Sequence, residues 1–78
     1  MKELIEFIAG SLVDHPSEVD VFEMQRGSQV ILQLQVAKED MGRIIGREGR
    51  VANAIRTLLR VAAAKEGKRV SLDIIEPE

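Results

Sequence analysis

The chain has 78 residues, a net charge of −2 at pH 7, no cysteine, and two phenylalanines as its only aromatic residues. That length suits one small domain (residues 1–78) with an aliphatic core; the composition excludes disulfides and thiolate metal sites, and a single histidine without a dense Asp/Glu/His cluster argues against a structural metal. No apolar run approaches the roughly 20 residues that span a bilayer, and the acidic residues of MKELIEFIAG do not suit a signal peptide, so a cytoplasmic protein without membrane insertion is expected.

In residues 2–13, Leu4, Ile5, Ile8 and Leu12 lie at helical spacing, and Phe7 widens the apolar face. This helix should stop near Asp14, because His15 precedes Pro16 and pre-proline residues avoid the α region. His15 has no nucleophile beside it and reads as a turn residue. Residues 19–36 read as a hairpin, with VDVFEMQ and QVILQLQV joined by RGS. The second strand alternates, with Val30, Leu32, Leu34 and Val36 on one face and Gln29, Gln33 and Gln35 on the other. Ile31 breaks the polar face. In the first strand, Phe22 and Met24 are assigned inward; Val19 and Val21 have the opposite phase, which suggests a bulge or an irregular start.

After Ala37, KEDMGRII reads as a short helix with acidic residues in its first turn. A Gly-Arg-Glu-Gly turn follows, then the longest helix, RVANAIRTLLRVAAAKEG, with Val51, Ile55, Leu58, Leu59 and Ala62 as its apolar face. Gly67 is its natural stop. VSLDII completes the pattern as a strand, with Val70, Leu72 and Ile74 in one phase. The order is α-β-β-α-α-β. A tight hairpin makes the first two strands antiparallel, and a two-helix connection suits a parallel crossover to the third. The expected fold is α+β, a mixed three-stranded sheet with three helices on one face.

The stretch GRIIGREGRVANAIR, residues 42–56, carries three glycines where an uninterrupted helix would otherwise form. An interior glycine costs a helix roughly 1 kcal/mol relative to alanine, so these need a reason. Residues 1–42 hold three basic and eight acidic side chains, whereas residues 43–60 set five arginines against Glu48 alone. A basic island on an acidic body steers anions locally. Gly46 and Gly49 bracket a turn between two helices, where glycine permits positive φ and close backbone approach. The first N–H groups of the next helix have no intrahelical acceptors and make a phosphate site. Arg47 and Arg50 flank that point, Arg43 lies a turn earlier, and Ile44 and Ile45 adjoin it. Arg56 and Arg60 either extend the positive track or are simply solvated.

Other readings compete. A bare αα-corner needs the same glycines. A DNA-reading helix-turn-helix needs a polar recognition face, and the second helix here is largely apolar. There is no GxxxxGK[ST] and no dinucleotide-type glycine spacing, so neither catalysis nor a cofactor is expected. A protein-interaction module could use the small residues Ala62, Ala63 and Ala64 of the long helix.

The run Ile44-Ile45-Gly46-Arg47-Glu48-Gly49-Arg50 resembles the signature of KH domains, whose GXXG loop clamps about four nucleotides of a single strand. The element order resembles the type II arrangement. The whole chain, including SLVDHPSEV and GRVANAIRTLLRVAAAKEGKRV, is similar to the bacterial KhpA family of single KH domains. That resemblance implies RNA binding in the cytoplasm at Gly46, Arg47, Glu48, Gly49 and Arg50, with Ile44, Ile45 and Arg43 alongside. It also implies a homodimer, or a heterodimer with a KhpB-type KH protein, and a role near cell division and envelope growth. Two departures stand out. Glu48 sets a carboxylate beside the expected phosphate, and Ala52 occupies a place where a bulky aliphatic commonly floors the groove. With Phe7 and Phe22 assigned to the core, aromatic stacking is not expected, and sequence specificity should be low.

Overall fold

The computed structural model describes residues 1–77. The turn at Gly27 and Ser28 sets the register of the sheet. Gly27 takes a φ of +58°, the left-handed conformation that tight hairpin turns require. It joins β1 (Asp20–Arg26) to β2 (Gln29–Gln35), paired antiparallel without interruption from Asp20 opposite Gln35 to Arg26 opposite Gln29. No bulge interrupts this ladder. β3 (Arg69–Ile75) runs parallel to β2 on its other side, giving the order β1-β2-β3. The crossover between them carries α2 (Met41–Ile45) and α3 (Arg50–Lys65), and α1 (Lys2–Leu12) precedes the hairpin. The architecture is the expected α+β fold.

All three helices contribute to a core on one face of the sheet: Ile5 and Ala9 from α1, Ile44 from α2, and Ile55 and Leu59 from α3 meet Val21, Val30, Leu32, Leu34, Val36 and Leu72. The alternation of β2 and β3 is as the sequence reads. The phase of β1 is corrected. Phe22 and Met24 are 53 % and 52 % exposed, and Val21 is the buried residue. The ladder decides this, because Val21 pairs with Leu34 and both must share the helix-covered face. A one-residue difference in phase moves every side chain to the other face, so Phe22 and Met24 lie on the open one.

Two helical faces are also corrected. In α1, Ile5 and Ala9 are buried and Ile8 is partly so, while Phe7 is 74 % exposed. Phe7 lies two residues, about 200°, around the helix from Ile5, so no rotation of α1 buries both against one sheet. In α3, Ala52, Ile55, Leu59 and Ala63 are buried, whereas Leu58 is 54 % exposed. Two of the four are small side chains, Ala52 and Ala63, and Ala63 lies beside Arg69 and Val70 of β3. Both phenylalanines therefore lie outside the core. Gly67, at φ +68°, ends α3 as expected, with its N–H donated to the Ala64 carbonyl at 3.1 Å.

Candidate nucleic-acid interface

α2 ends where Gly46 donates its N–H to the Gly42 carbonyl at 2.8 Å and then leaves the helix at φ +76°, ψ 174°. That backbone region is essentially restricted to glycine. A Cβ here would sit 2.4 Å from Cγ2 of Val51 and 2.9 Å from its backbone nitrogen, so the chain can make this turn only without a side chain. Arg47–Gly49 form one 3-10 turn, closed by the Gly49 N–H on the Gly46 carbonyl at 3.2 Å. Glu48 adopts a positive φ of +57° although it is not a glycine. Gly49, at φ +77°, then starts α3 and brings no capping side chain. The Arg50 N–H donates to the Arg47 carbonyl, and the N–H groups after it have no capping side chain, at the positive end of a 16-residue helix.

The predicted side chains divide around this turn. Arg47 is exposed. Arg50 is exposed too, and its Nη2 lies 3.6 Å from Oε2 of Glu48. The carboxylate thus lies beside the basic charge within the same loop. Ile45 is 38 % exposed at the turn, but Ile44 is fully buried and supports α2 from beneath rather than lining a surface. Arg43 points back from the loop, with Nη2 3.0 Å from Oδ2 of Asp14 and Nε 3.9 Å from Oδ1 of Asp40.

Asp40 is a residue that sequence reasoning did not single out. It is 1 % exposed, accepts the backbone N–H groups of Asp14 at 3.1 Å and His15 at 3.0 Å, and lies 3.1 Å from Nδ1 of His15. One carboxylate therefore ties the α1–β1 connection to the start of α2. The acidic residue ahead of MGRII and the DH pair before Pro16 were visible in the sequence, but nothing local relates two segments 25 residues apart. Burial pushes the Asp40 carboxyl up, but the N–H groups of Asp14 and His15 and the imidazole outweigh it, and it is lowered below its ordinary value. The hydrogen bond to Asp40 raises the His15 imidazole against the opposing effect of burial.

These shifts fix the sign of the pH dependence. The contribution of His15 is fully present below the unfolded imidazole value of about 6.5 and fades as pH rises through the higher folded value. That of Asp40 is present above the unfolded carboxyl value of about 3.9 and is lost as pH falls through the lower folded one. The melting temperature of the wild type should therefore exceed that of His15→Gln most between these limits, and the gap should narrow as pH rises through the raised imidazole value. A gap independent of pH, measured by thermal unfolding across a pH series, would remove the imidazolium from this account.

A hollow lies between the middle of α3 and β3, the edge strand of the sheet. A cavity of about 190 Å³ is lined by Arg56, Leu59, Arg60, Val70, Ser71 and Leu72, and Lys68 and Arg69 flank a second hollow that shares Arg60 and Val70. Arg56 donates from Nε and Nη2 to the Leu72 carbonyl at 3.3 and 3.2 Å, so it is a built part of the groove wall rather than a freely solvated charge. Lys68 and Arg69 were missed; the GKRV that follows the helix stop was their signal.

The glycine loop, its helix and the sheet edge now have likenesses to compare. The KhpA/KhpB KH-domain family matches residues 2–74. The chain belongs to that family. Relatives described as RNA-binding protein KhpA include one from Clostridium acetobutylicum, 56 % identical over 96 % of this chain and all of its own length. Another, from Halalkalibacterium halodurans, is 47 % identical over 97 % of this chain and all of its own. A third, from Borreliella burgdorferi, is 51 % identical over 95 % of this chain and 90 % of its own. No solved structure matches. A KH domain of the KhpA type is a non-catalytic module, and no helix among the described residues is long and apolar enough to cross a membrane.

Proposed function

We propose that this KH domain binds single-stranded RNA with low sequence specificity, holding the phosphate backbone at the Gly46–Gly49 loop. The observation that carries this reading is Gly46, whose backbone conformation and contact with Val51 leave no place for a side chain and bring the loop directly onto the uncapped start of α3. Gly46 and Gly49 admit the phosphates. Arg47 and Arg50 supply charge, and Glu48 limits affinity because its pairing with Arg50 must open. Ile45, 38 % exposed beside the loop, offers an apolar contact, and bases would lie along Arg56 and the edge of β3. Arg43, held by Asp14, acts at the periphery. The relatives' description as RNA-binding proteins supports the same assignment.

The test is fluorescence-anisotropy binding to short single-stranded RNA across a salt series. Three or four phosphate contacts give a log–log slope of about −2 to −3. A variant carrying Arg47→Asp and Glu48→Asp should lose that slope while keeping its circular dichroism, since Asp tolerates positive φ at position 48. Equal binding by both chains would move the site away from the loop.

A second reading rests on α3. Leu58 and Val61 are each 54 % exposed one turn apart on its outer side, whereas Ala63, expected on that surface, is buried. On this reading the domain acts in the cytoplasm as a homodimer, or with a KhpB-type partner in cell envelope growth or division, through Leu58 and Val61. Pairing would set two RNA grooves on one particle and raise avidity.

A further inference from the structure

The helices cover one face of the sheet and leave the other open. On the open face Phe22 and Met24, about half exposed, border a hollow of about 70 Å³ together with Ile31. Singly exposed apolar residues are ordinary. An aromatic, a methionine and an isoleucine gathered from two strands have instead the composition of an interface centre.

The pairing register places the charges of this face at its two ends. Arg26 and Arg69 both lie opposite Gln29, beside the hairpin turn. Asp73 lies opposite Gln33 and Asp20 opposite Gln35, toward the other end. None of these four has an ion-pair partner among the described residues. Two positive and two negative charges give the face no net attraction for a polyanion. Arg26 and Asp20, at opposite ends of β1, do make it self-complementary.

We propose that the open sheet face takes a second copy of this chain, the two sheets packed face to face with their strands antiparallel about a two-fold axis. Turning one sheet end over end about an axis across its strands brings Arg26 over Asp20 of the second copy and Phe22 over Met24, and symmetry repeats each contact. The other two-fold arrangement, about an axis along the strands, sets Arg26 over Arg69 of the second copy and Phe22 over Asp73. Charge therefore selects the first. Three strands about 4.8 Å apart and seven residues at about 3.3 Å each make a face about 14 by 23 Å. That is about 320 Å² per copy, below the roughly 800 Å² per partner of a stable complex, so this contact is a transient one that forms and breaks readily. It lies on the opposite side of the sheet from α3 and can operate whether or not α3 is occupied.

Sedimentation velocity from micromolar to millimolar protein tests this. Every chain carries Leu58→Lys, an exposed change that removes self-association through α3. Added Arg26→Glu is expected to weaken association about tenfold, and Asp20→Lys likewise, whereas the chain with both should recover most of it because reversed charges again meet opposite ones. Absence of association at millimolar concentration, single reversals without effect, or no recovery in the double variant would each overturn the proposal. So would Phe22→Ser weakening RNA binding with sedimentation unchanged, which would assign the face to RNA.

Discussion

Gly46→Ala should cost this domain about 2–6 kcal/mol. About 1–3 kcal/mol comes from forcing a side-chain-bearing residue into φ +76°, ψ 174°. A similar amount comes from overpacking against Val51, whose Cγ2 and backbone nitrogen would lie 2.4 and 2.9 Å from the new Cβ. Neighbouring glycines provide the comparison. Gly49 has φ +77° but only Asn53 within reach, at 3.9 Å, so Gly49→Ala should cost about 1–2 kcal/mol from backbone conformation alone. Gly42 lies inside α2 with nothing within 4 Å of a Cβ, and Gly42→Ala should be neutral or stabilise by up to about 1 kcal/mol. Urea denaturation of the three variants should give that order. A Gly46→Ala chain as stable as the wild type would mean the loop has another conformation, and the proposed phosphate site would lose its basis.

Asp40→Ala should lower the melting temperature by about 10 °C or more, although the change removes no apolar contact. It strips the acceptors from the N–H groups of Asp14 and His15 and from the imidazole at once. Part-buried donors without partners cost more than the hydrogen bonds themselves contributed. Asp40→Asn should recover little, because its amide offers one acceptor oxygen where two carboxylate oxygens are used. Arg43→Gln is the contrast. The Arg43 and Asp14 side chains are both more than half exposed, and exposed ion pairs contribute little, so this chain should melt close to the wild type. Differential scanning calorimetry separates the cases. If Asp40→Ala and Arg43→Gln melt together, the buried carboxylate does not hold the two connections, and the pH behaviour predicted for His15 goes with it.

Much of the candidate site was legible because its signals are local. A glycine pair three residues apart, arginines beside it and a helix directly after are short-range features, and the loop forms where the sequence puts it. Ile44 and Ile45 show where local reading stops. Adjacent helical residues point about 100° apart, so one enters the core and the other reaches the surface, and only the packing of α2 says which. Arg43 was read as a contact because it is basic and near. Its ion pair with Asp14 depends on a segment more than 20 residues away.

The sequence by itself determined the element order, the phase of β2, the glycine turn and the stop of α3 at Gly67. Each follows from alternation, backbone sterics or capping within a few residues. Tertiary structure alone decided which surplus apolar residues were buried. With candidates on more than one side of α1, β1 and α3, hydrophobicity did not choose among them. The hairpin ladder chose Val21 over Phe22, and the packing of α3 chose Ala52 and Ala63 over Leu58. A three-stranded sheet covered on one side has only one inner face, so the residues left over make its outer surfaces.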